Sequence, residues 1–248
     1  MIILKSQEEI EIMRKGGKIL ACIMQKIKNF LKPGISTKQI EDFAHQLMQE
    51  YKVSSAFKGY RGFPGYICTS VNSEVVHGIP TDGCFLKEGD IISIDAGINY
   101  QGFYLDCAFT AAVGKVSSQK MKLIQVTKNS LYEGIKKAKA GNHLSDISYA
   151  IQNYVEQNGF SVVRDFVGHG IGRQLHEEPQ IPNFGKPHEG PVLREGMVLA
   201  IEPMVNMGSW EVKFLENGWT AVTKDGLDSA HFEHTIALLD NNIEILTL

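Results

Sequence analysis

Two stretches of the chain, 107 positions apart, are written on one plan: "LKEGDIISIDAG" (residues 86–97) falls on "LREGMVLAIEPM" (residues 193–204). Leu86 meets Leu193, Gly89 meets Gly196, Ile94 meets Ile201, and the acid Asp95 meets the acid Glu202. The same shift carries Lys32 onto Lys139, Gly34 onto Gly141 and Ile40 onto Ile147. An "HGI" precedes each acid, at His77-Gly78-Ile79 and His169-Gly170-Ile171, with an offset of 92 that points to loops of different length. A repeat of this size restricts the chain to two half-domains, roughly 1–115 and 116–248, sharing one sheet-based core within a single domain over residues 1–248. A functional site is expected where the halves meet.

Each half begins with two helices. Ser6 and Glu9 have capping-box spacing, and Ile10, Met13, Leu20, Ile23, Met24 and Ile27 recur with a helical period until Lys32-Pro33-Gly34 stops it. Ile40, Phe43, Ala44, Leu47 and Met48 then form one apolar face of a second helix. The second half repeats this with a long helical pattern over Ser118–Ala138, a "KAG" break at Lys139–Gly141, and a shorter helix carrying Ile147, Ile151, Tyr154 and Val155 that ends at Asn158-Gly159.

With 248 residues and 43% hydrophobic content, the chain can bury a core that needs no staples. Cys22, Cys68, Cys84 and Cys107 show neither C-x-x-C pairs nor ribbon spacing, which argues against a structural zinc module and a disulfide framework and fits a reducing cytoplasm. The apolar run after Met1 is too short for a signal peptide, and no window approaches the roughly 18 apolar residues of a membrane span. The net charge of -3, with lysines around Lys120–Lys139 scattered on a helical pattern without aromatics, reads as a solvated face and excludes nucleic-acid readout.

Asp95 lies in the last part of a strand marked by Ile91, Ile92 and Ile94, where an isolated carboxylate costs several kcal/mol. Downstream, Gln101-Gly102 suggests a hairpin with a two- or four-residue loop. Centred between Tyr100 and Gln101, such a loop sets Asp106 directly opposite Asp95, with Cβ atoms about 5 Å apart. The two charges would repel by about 3 kcal/mol at an effective dielectric near 20. Either they share a proton, as a carboxylate dyad does, or a metal lies between them. Two further acids favour the metal: Glu202, in a strand that Pro203 ends, and Glu233, entering a third strand in "SAHFEHTIALL". With His169, framed by glycines in "VGHGIG", these strand-end acids offer five oxygen and nitrogen ligands. Two divalent ions would balance the four negative charges, and the donor set suits Mn, Fe, Co or Zn better than a thiolate site does. His231 and His234 flank Glu233 and are left outside the set, since a strand turns His234 to the opposite face. No H-E-x-x-H of a single-zinc peptidase is present.

In "YICTSVNSEVVHGIP", "GDIISIDAG", "GFYLDCAF", "GHGIGRQLHEEPQIPNF", "GMVLAIEPMVNMG", "NGWTAVTKDG" and "SAHFEHTI", in that order, the chain resembles the type I methionine aminopeptidases over nearly its whole length. The resemblance implies an α+β pita-bread fold: two pseudosymmetric halves with a curved, mainly antiparallel sheet covered by helices. It implies that Asp95, Asp106, His169, Glu202 and Glu233 hold two divalent ions, with Asp106 and Glu233 bridging them, and that a bridging water or hydroxide attacks the scissile carbonyl. Glu202 would also act as general base, His176 would contact the carbonyl or oxyanion, and His77 the scissile amide nitrogen. Tyr60, Phe63, Cys68 and Trp219 would form the pocket for the methionine side chain, with Phe57 and Leu175 at positions where some relatives carry Cys and Phe. The implied substrates are methionyl peptides and nascent chains with a small second residue, reached in the cytoplasm and at the ribosome by a monomer that engages neither nucleic acid nor membrane.

The long insertion of the type II enzymes and the N-terminal zinc-finger extension of eukaryotic type I enzymes are missing, so a bacterial form is expected. Prolidases and X-Pro aminopeptidases resemble the same ligand set but usually carry a separate N-terminal domain. Metal-free peptide-binding relatives share the fold and lack several of the ligands.

Overall fold

The computed structural model describes residues 1–240 and 242–248. Four helices form where the apolar period runs: α1 (Gln7–Phe30), α2 (Thr37–Glu50), α3 (Ser118–Ile135) and α4 (Leu144–Gln157). Polar side chains close their first turns. The Ser6 backbone N–H donates to Glu9 Oε2 at 2.9 Å, that of Ser36 to Gln39 Oε1 at 2.8 Å, and that of His143 to Asp146 Oδ2 at 2.9 Å. Helix α3 stops at Ile135, short of the Ala138 that its pattern reached. Ala138 is fully buried, so it extends the apolar pattern although the backbone there has tightened into a turn, Ala138 N–H to Ile135 C=O at 3.0 Å.

The strands of the first half are β1 (Ser54–Ser55), β2 (Cys68–Val71), β3 (Glu74–Val76), β4 (Ile91–Tyr100) and β5 (Phe103–Ala112). Those of the second are β6 (Ser161–Val162), β7 (Val167–Gly170), β8 (Glu177–Pro182), β9 (Val198–Ile201), β10 (Met204–Asn206), β11 (Val212–Phe214), β12 (Ala221–Thr223), β13 (Ser229–His231), β14 (Glu233–Leu239) and β15 (Asn242–Ile245). Nine of them make one antiparallel sheet of order β1-β4-β5-β14-β9-β7-β8, with β2 on β4 and β15 on β14. Two three-stranded sheets, β13-β10-β6 and β11-β12-β3, flank it. One large apolar cluster ties the helices, through residues such as Leu20, Ile40, Leu123 and Ile151, to Ile94, Leu105 and Leu199 of the sheet.

Backbone hydrogen bonds recur at the 107-residue offset. Gly34 N–H donates to Leu86 C=O at 2.8 Å and Gly141 N–H to Leu193 C=O at 2.9 Å, and the bridge Ser36–Phe85 has a counterpart in His143–Val192.

The β4–β5 hairpin turns through two residues, Gln101 (φ 51°) and Gly102 (φ 85°), both left-handed as a type I′ turn requires. That centres the loop one residue later than the sequence suggested. Tyr100 therefore pairs with Phe103, Asp95 faces Ala108, and Asp106 faces Gly97. Asp95 and Asp106 are diagonal neighbours, not opposite ones. A slip of two positions preserves the face, whereas a slip of one would have turned Asp106 away. Nor do all four acids sit at strand ends: β4 continues through the buried Ala96, Gly97 and Ile98, which leaves Asp95 mid-strand, and Asp106 lies inside β5. Lys120 is likewise no part of a solvated face. Its ammonium donates to Asn72 Oδ1 at 2.9 Å and Gly89 C=O at 3.0 Å and sits 3.4 Å from Asp228.

Candidate metal centre

Five neighbouring positions across the large sheet each deliver one side chain: Asp95 from β4, Asp106 from β5, Glu233 from β14, Glu202 just past β9, and His169 from β7. The register brings them level, since Glu233 pairs with Ala108, His234 with Ile201, and His169 with Ala200. Alternation sends the neighbours Cys107 and His234 to the other face, where His234 Nε2 lies 3.4 Å from Tyr132 Oη of α3. The helices thus cover one face of the sheet while the acids occupy the other.

Ligand-type atoms of Asp106, His169 and Glu233 all lie within 4.8 Å of one another, the one such cluster of three or more among the described residues. Glu202 Oε1 approaches His169 Nε2 to 3.5 Å, and the carboxyl of Asp95 meets that of Asp106. No lysine or arginine pairs with any of the four acids among the described residues. Burial, and then repulsion from neighbouring acids, raises Asp106, Glu202 and Glu233 well above the ordinary carboxyl range, while desolvation pushes Asp95 up to about 7 against a hydrogen bond with Asp106 that lowers it. Asp95 Oδ1 and Glu233 Oε1 are buried with no hydrogen-bond partner.

His169 is prepared differently. Desolvation lowers its pKa to about 4, so the ring is neutral at pH 7. Its Nδ1 lies 2.9 Å from the Gly170 carbonyl, which can only accept, so the proton sits on Nδ1 and the Nε2 lone pair turns toward the acids. A shared proton would satisfy one carboxyl pair. Four acids without a lysine or arginine partner, two of them with orphaned oxygens, together with an imidazole lone pair in the same space, fit a divalent cation better.

A cavity of about 190 Å³ opens over this cluster. All the side chains singled out from the sequence line it: the five metal-ligand candidates, together with Tyr60, Phe63, Cys68, His77, His176 and Trp219. Cys68 is the cross-strand partner of Asp95 on β2. Phe63 and Trp219 meet edge to face, with ring centroids 5.2 Å apart. Tyr60 begins a short 3₁₀ turn (Tyr60–Gly62), and its hydroxyl lies 2.8 Å from His176 Nδ1. The His176 ring also packs on His169 at 4.3 Å between centroids. Desolvation, followed by His169, Arg61 and His77, lowers the His176 pKa. His77 adopts φ 59°, and its carbonyl accepts from Thr220 Oγ1 at 3.3 Å. Phe57 and Leu175 complete the apolar wall.

One residue at the site escaped the sequence reading, and another, His231, was considered there and left out. Arg61 stands at the cavity mouth with φ 48°, a placement that no periodicity announces. His231 lies behind Glu202, with Nε2 3.8 Å from Glu202 Oε2. Its signal was available, because a residue two before Glu233 shares its face of a strand.

The sequence profile of metallopeptidase family M24 matches residues 11–240. The chain belongs to metallopeptidase family M24. Among other M24 proteins it is 54% identical to a methionine aminopeptidase of Clostridium perfringens, covering 100% of this chain and 99% of the relative. It is 53% identical over 247 residues to methionine aminopeptidase 1 of Bacillus subtilis, covering 100% and 99%. The crystal structure of methionine aminopeptidase from Thermotoga maritima superposes with a TM-score of 0.98 at 49% identity, covering 100% of this chain and 99% of that one. This M24 chain therefore has the α+β pita-bread fold. Prolidase from Pyrococcus horikoshii shares that fold at a TM-score of 0.81 and 23% identity, the chain covering 64% of its length. No helix among the described residues is long and apolar enough to cross a membrane.

Proposed function

We propose that this M24 metallopeptidase is a methionine aminopeptidase that removes the initiator methionine from peptides and nascent proteins with a small second residue. The observation that carries the proposal is the convergence of four acids that no lysine or arginine pairs, two of them with orphaned oxygens, and one imidazole lone pair beneath a cavity of about 190 Å³ walled by Phe63, Cys68 and Trp219. That lining is apolar and polarisable, suited to a thioether.

Asp95, Asp106, His169, Glu202 and Glu233 would hold two divalent ions, drawn from Mn, Fe, Co or Zn. When bound, such ions supply a Lewis acid and a water acidic enough to ionise near neutral pH. Glu202, ionised once the ions are bound, would accept the water's proton and pass it to the leaving amine. His176 takes the Tyr60 hydroxyl proton as a hydrogen bond at Nδ1, which leaves Nε2–H to donate to the scissile carbonyl as negative charge develops on its oxygen. His77 contacts the scissile amide nitrogen. Residues 1–248 act as one catalytic domain whose halves meet at the site. We place it in the cytoplasm as a monomer, acting on chains as they leave the ribosome.

The test is direct. After chelation and addition of Mn or Co, the protein should release free methionine from Met-Ala-Ser and leave Gly-Pro peptides intact; no release under any divalent ion would overturn the proposal.

A further inference from the structure

His231 closes β13, and its backbone is clamped at both polar groups by one side chain. Its N–H donates to Thr110 Oγ1 at 2.8 Å, and its C=O accepts from the same hydroxyl at 2.9 Å. The residue is 2% exposed, yet both ring nitrogens are buried without a hydrogen-bond partner. Buried ring N–H groups in folded proteins are nearly always paired, so this one calls for a recipient. The nearest carboxylate oxygen is Glu202 Oε2, 3.8 Å from Nε2, while Glu202 Oε1 lies 3.5 Å from His169 Nε2. Glu202 thus turns Oε2 toward His231 and Oε1 toward the His169 lone pair, so His231 is the one of the two imidazoles free to donate to it. A side-chain adjustment of about 1 Å closes the His231 contact into a hydrogen bond.

We propose that His231 is a positioning residue: its Nε2–H donates to Glu202 Oε2, which holds the carboxylate plane so that Oε1 is the oxygen presented to the metal ions. The inference rests on Glu202 being a metal ligand. His231 itself does not line the cavity, and it acts through Glu202. Second-layer donors of this kind typically set metal affinity by about 10- to 100-fold.

The decisive comparison uses His231→Gln, His231→Asn and His231→Leu. Gln carries an amide N–H on a side chain of similar reach, Asn carries the same amide one methylene shorter, and Leu fills space without a donor. Circular dichroism establishes folding, calorimetric titration of the chelated proteins with Mn gives Kd, and the visible spectrum of the Co-loaded proteins reports ligand geometry. H231Q should bind Mn within about threefold of the parent and keep its Co spectrum. H231N and H231L should weaken binding about tenfold or more, with an altered spectrum. Should H231L fail to fold, the Gln and Asn pair decides alone. Binding within threefold for H231N, or H231Q as weak as H231N, overturns the inference. A parent protein that takes up no divalent ion overturns the metal-site proposal itself, whereas normal parental binding with unaffected variants removes only the role of His231.

Discussion

Asp106 stands across the β4–β5 ladder from Gly97. A Cβ at position 97 would lie 3.3 Å from Asp106 Oδ1, 2.8 Å from Phe57 Cε1 and 2.9 Å from Ala56 Cβ. The bare position is therefore what lets the Asp106 carboxyl enter the site beside the aromatic wall. Gly97→Ala should destabilise the protein by about 1 to 3 kcal/mol, since the strand is packed on both sides. It should also weaken Mn binding by displacing Asp106. Melting curves and metal titration check both, and an unchanged melting temperature would remove the steric argument.

Asp106→Asn and Glu233→Gln keep the shape and remove a charge from a cluster whose acids repel one another. The metal-free variants should melt a few degrees higher than the metal-free parent near neutral pH, because each carboxyl must take up a proton to be buried there and the amide need not. The same changes should lower metal-dependent peptidase activity by about 100-fold or more. Calorimetry in chelator, set beside peptide hydrolysis with added Mn, separates the two effects. Variants that melt lower in chelator would show that these carboxyls stabilise the fold.

The pH dependence of the metal-free protein has a definite sign. Asp95, raised to about 7, and Asp106, Glu202 and Glu233, raised well above the ordinary carboxyl range, hold protons in the native state that the unfolded chain has lost. Their contribution is complete below the ordinary carboxyl pKa and is lost as pH rises through the raised values. His169 and His234, lowered to about 4, and His231, lowered to about 3, act in the opposite sense, but only up to the ordinary histidine value of about 6.5. Above that pH the histidines no longer contribute and the acids set the slope, joined from the ordinary thiol value of about 8.5 by the buried Cys68 and Cys107, whose raised pKa values act in the same sense. Melting temperature in chelator should therefore fall between about pH 6.5 and 8.5, and saturating Mn should flatten or reverse the slope because metal takes the place of protons. A chelated protein that grows more stable across this interval would contradict the raised carboxyl pKa values.

The helices were legible in the sequence because their signals are local: the Ser6–Glu9 box and the spacing of Ile40, Ala44 and Leu47 require nothing from elsewhere in the chain. The acids and His169 were legible because a charge inside an apolar run has to be neutralised. Register was not, since it depends on the left-handed backbone that Gln101 adopts at the turn, and Gln does not announce that conformation. Lys120 was misjudged for a related reason: its partners Asn72 and Asp228 lie 48 and 108 positions away, and only the folded sheet brings them together.

Tyr60→Phe isolates the contact that orients His176. The hydroxyl at 2.8 Å from Nδ1 holds the imidazole in place and, as donor, would keep the proton on Nε2, while the aromatic ring keeps its place in the wall. Removing it should lower kcat by about tenfold, the cost of roughly one hydrogen bond, with little change in melting temperature because the site is partly exposed. If kcat is retained, His176 is held by its packing on His169 alone.

Lys120 offers a test far from the chemistry. Its ammonium, on the first turn of α3, ties that helix to the β2–β3 turn through Asn72, to the approach to β4 through Gly89, and to the segment before β13 through Asp228. Asn72 in turn donates to Asp90 Oδ1 at 2.8 Å and accepts from the Ile91 N–H, so one side chain holds the entrance to the strand that carries Asp95. Lys120→Met keeps the aliphatic stem and leaves these partly buried acceptors unsatisfied, which should cost about 1 to 3 kcal/mol. Since the site residues themselves are untouched, Mn affinity per folded molecule should stay within about threefold of the parent. Denaturant unfolding and metal titration measure the two quantities separately, and a melting temperature equal to the parent's would return Lys120 to the solvated surface.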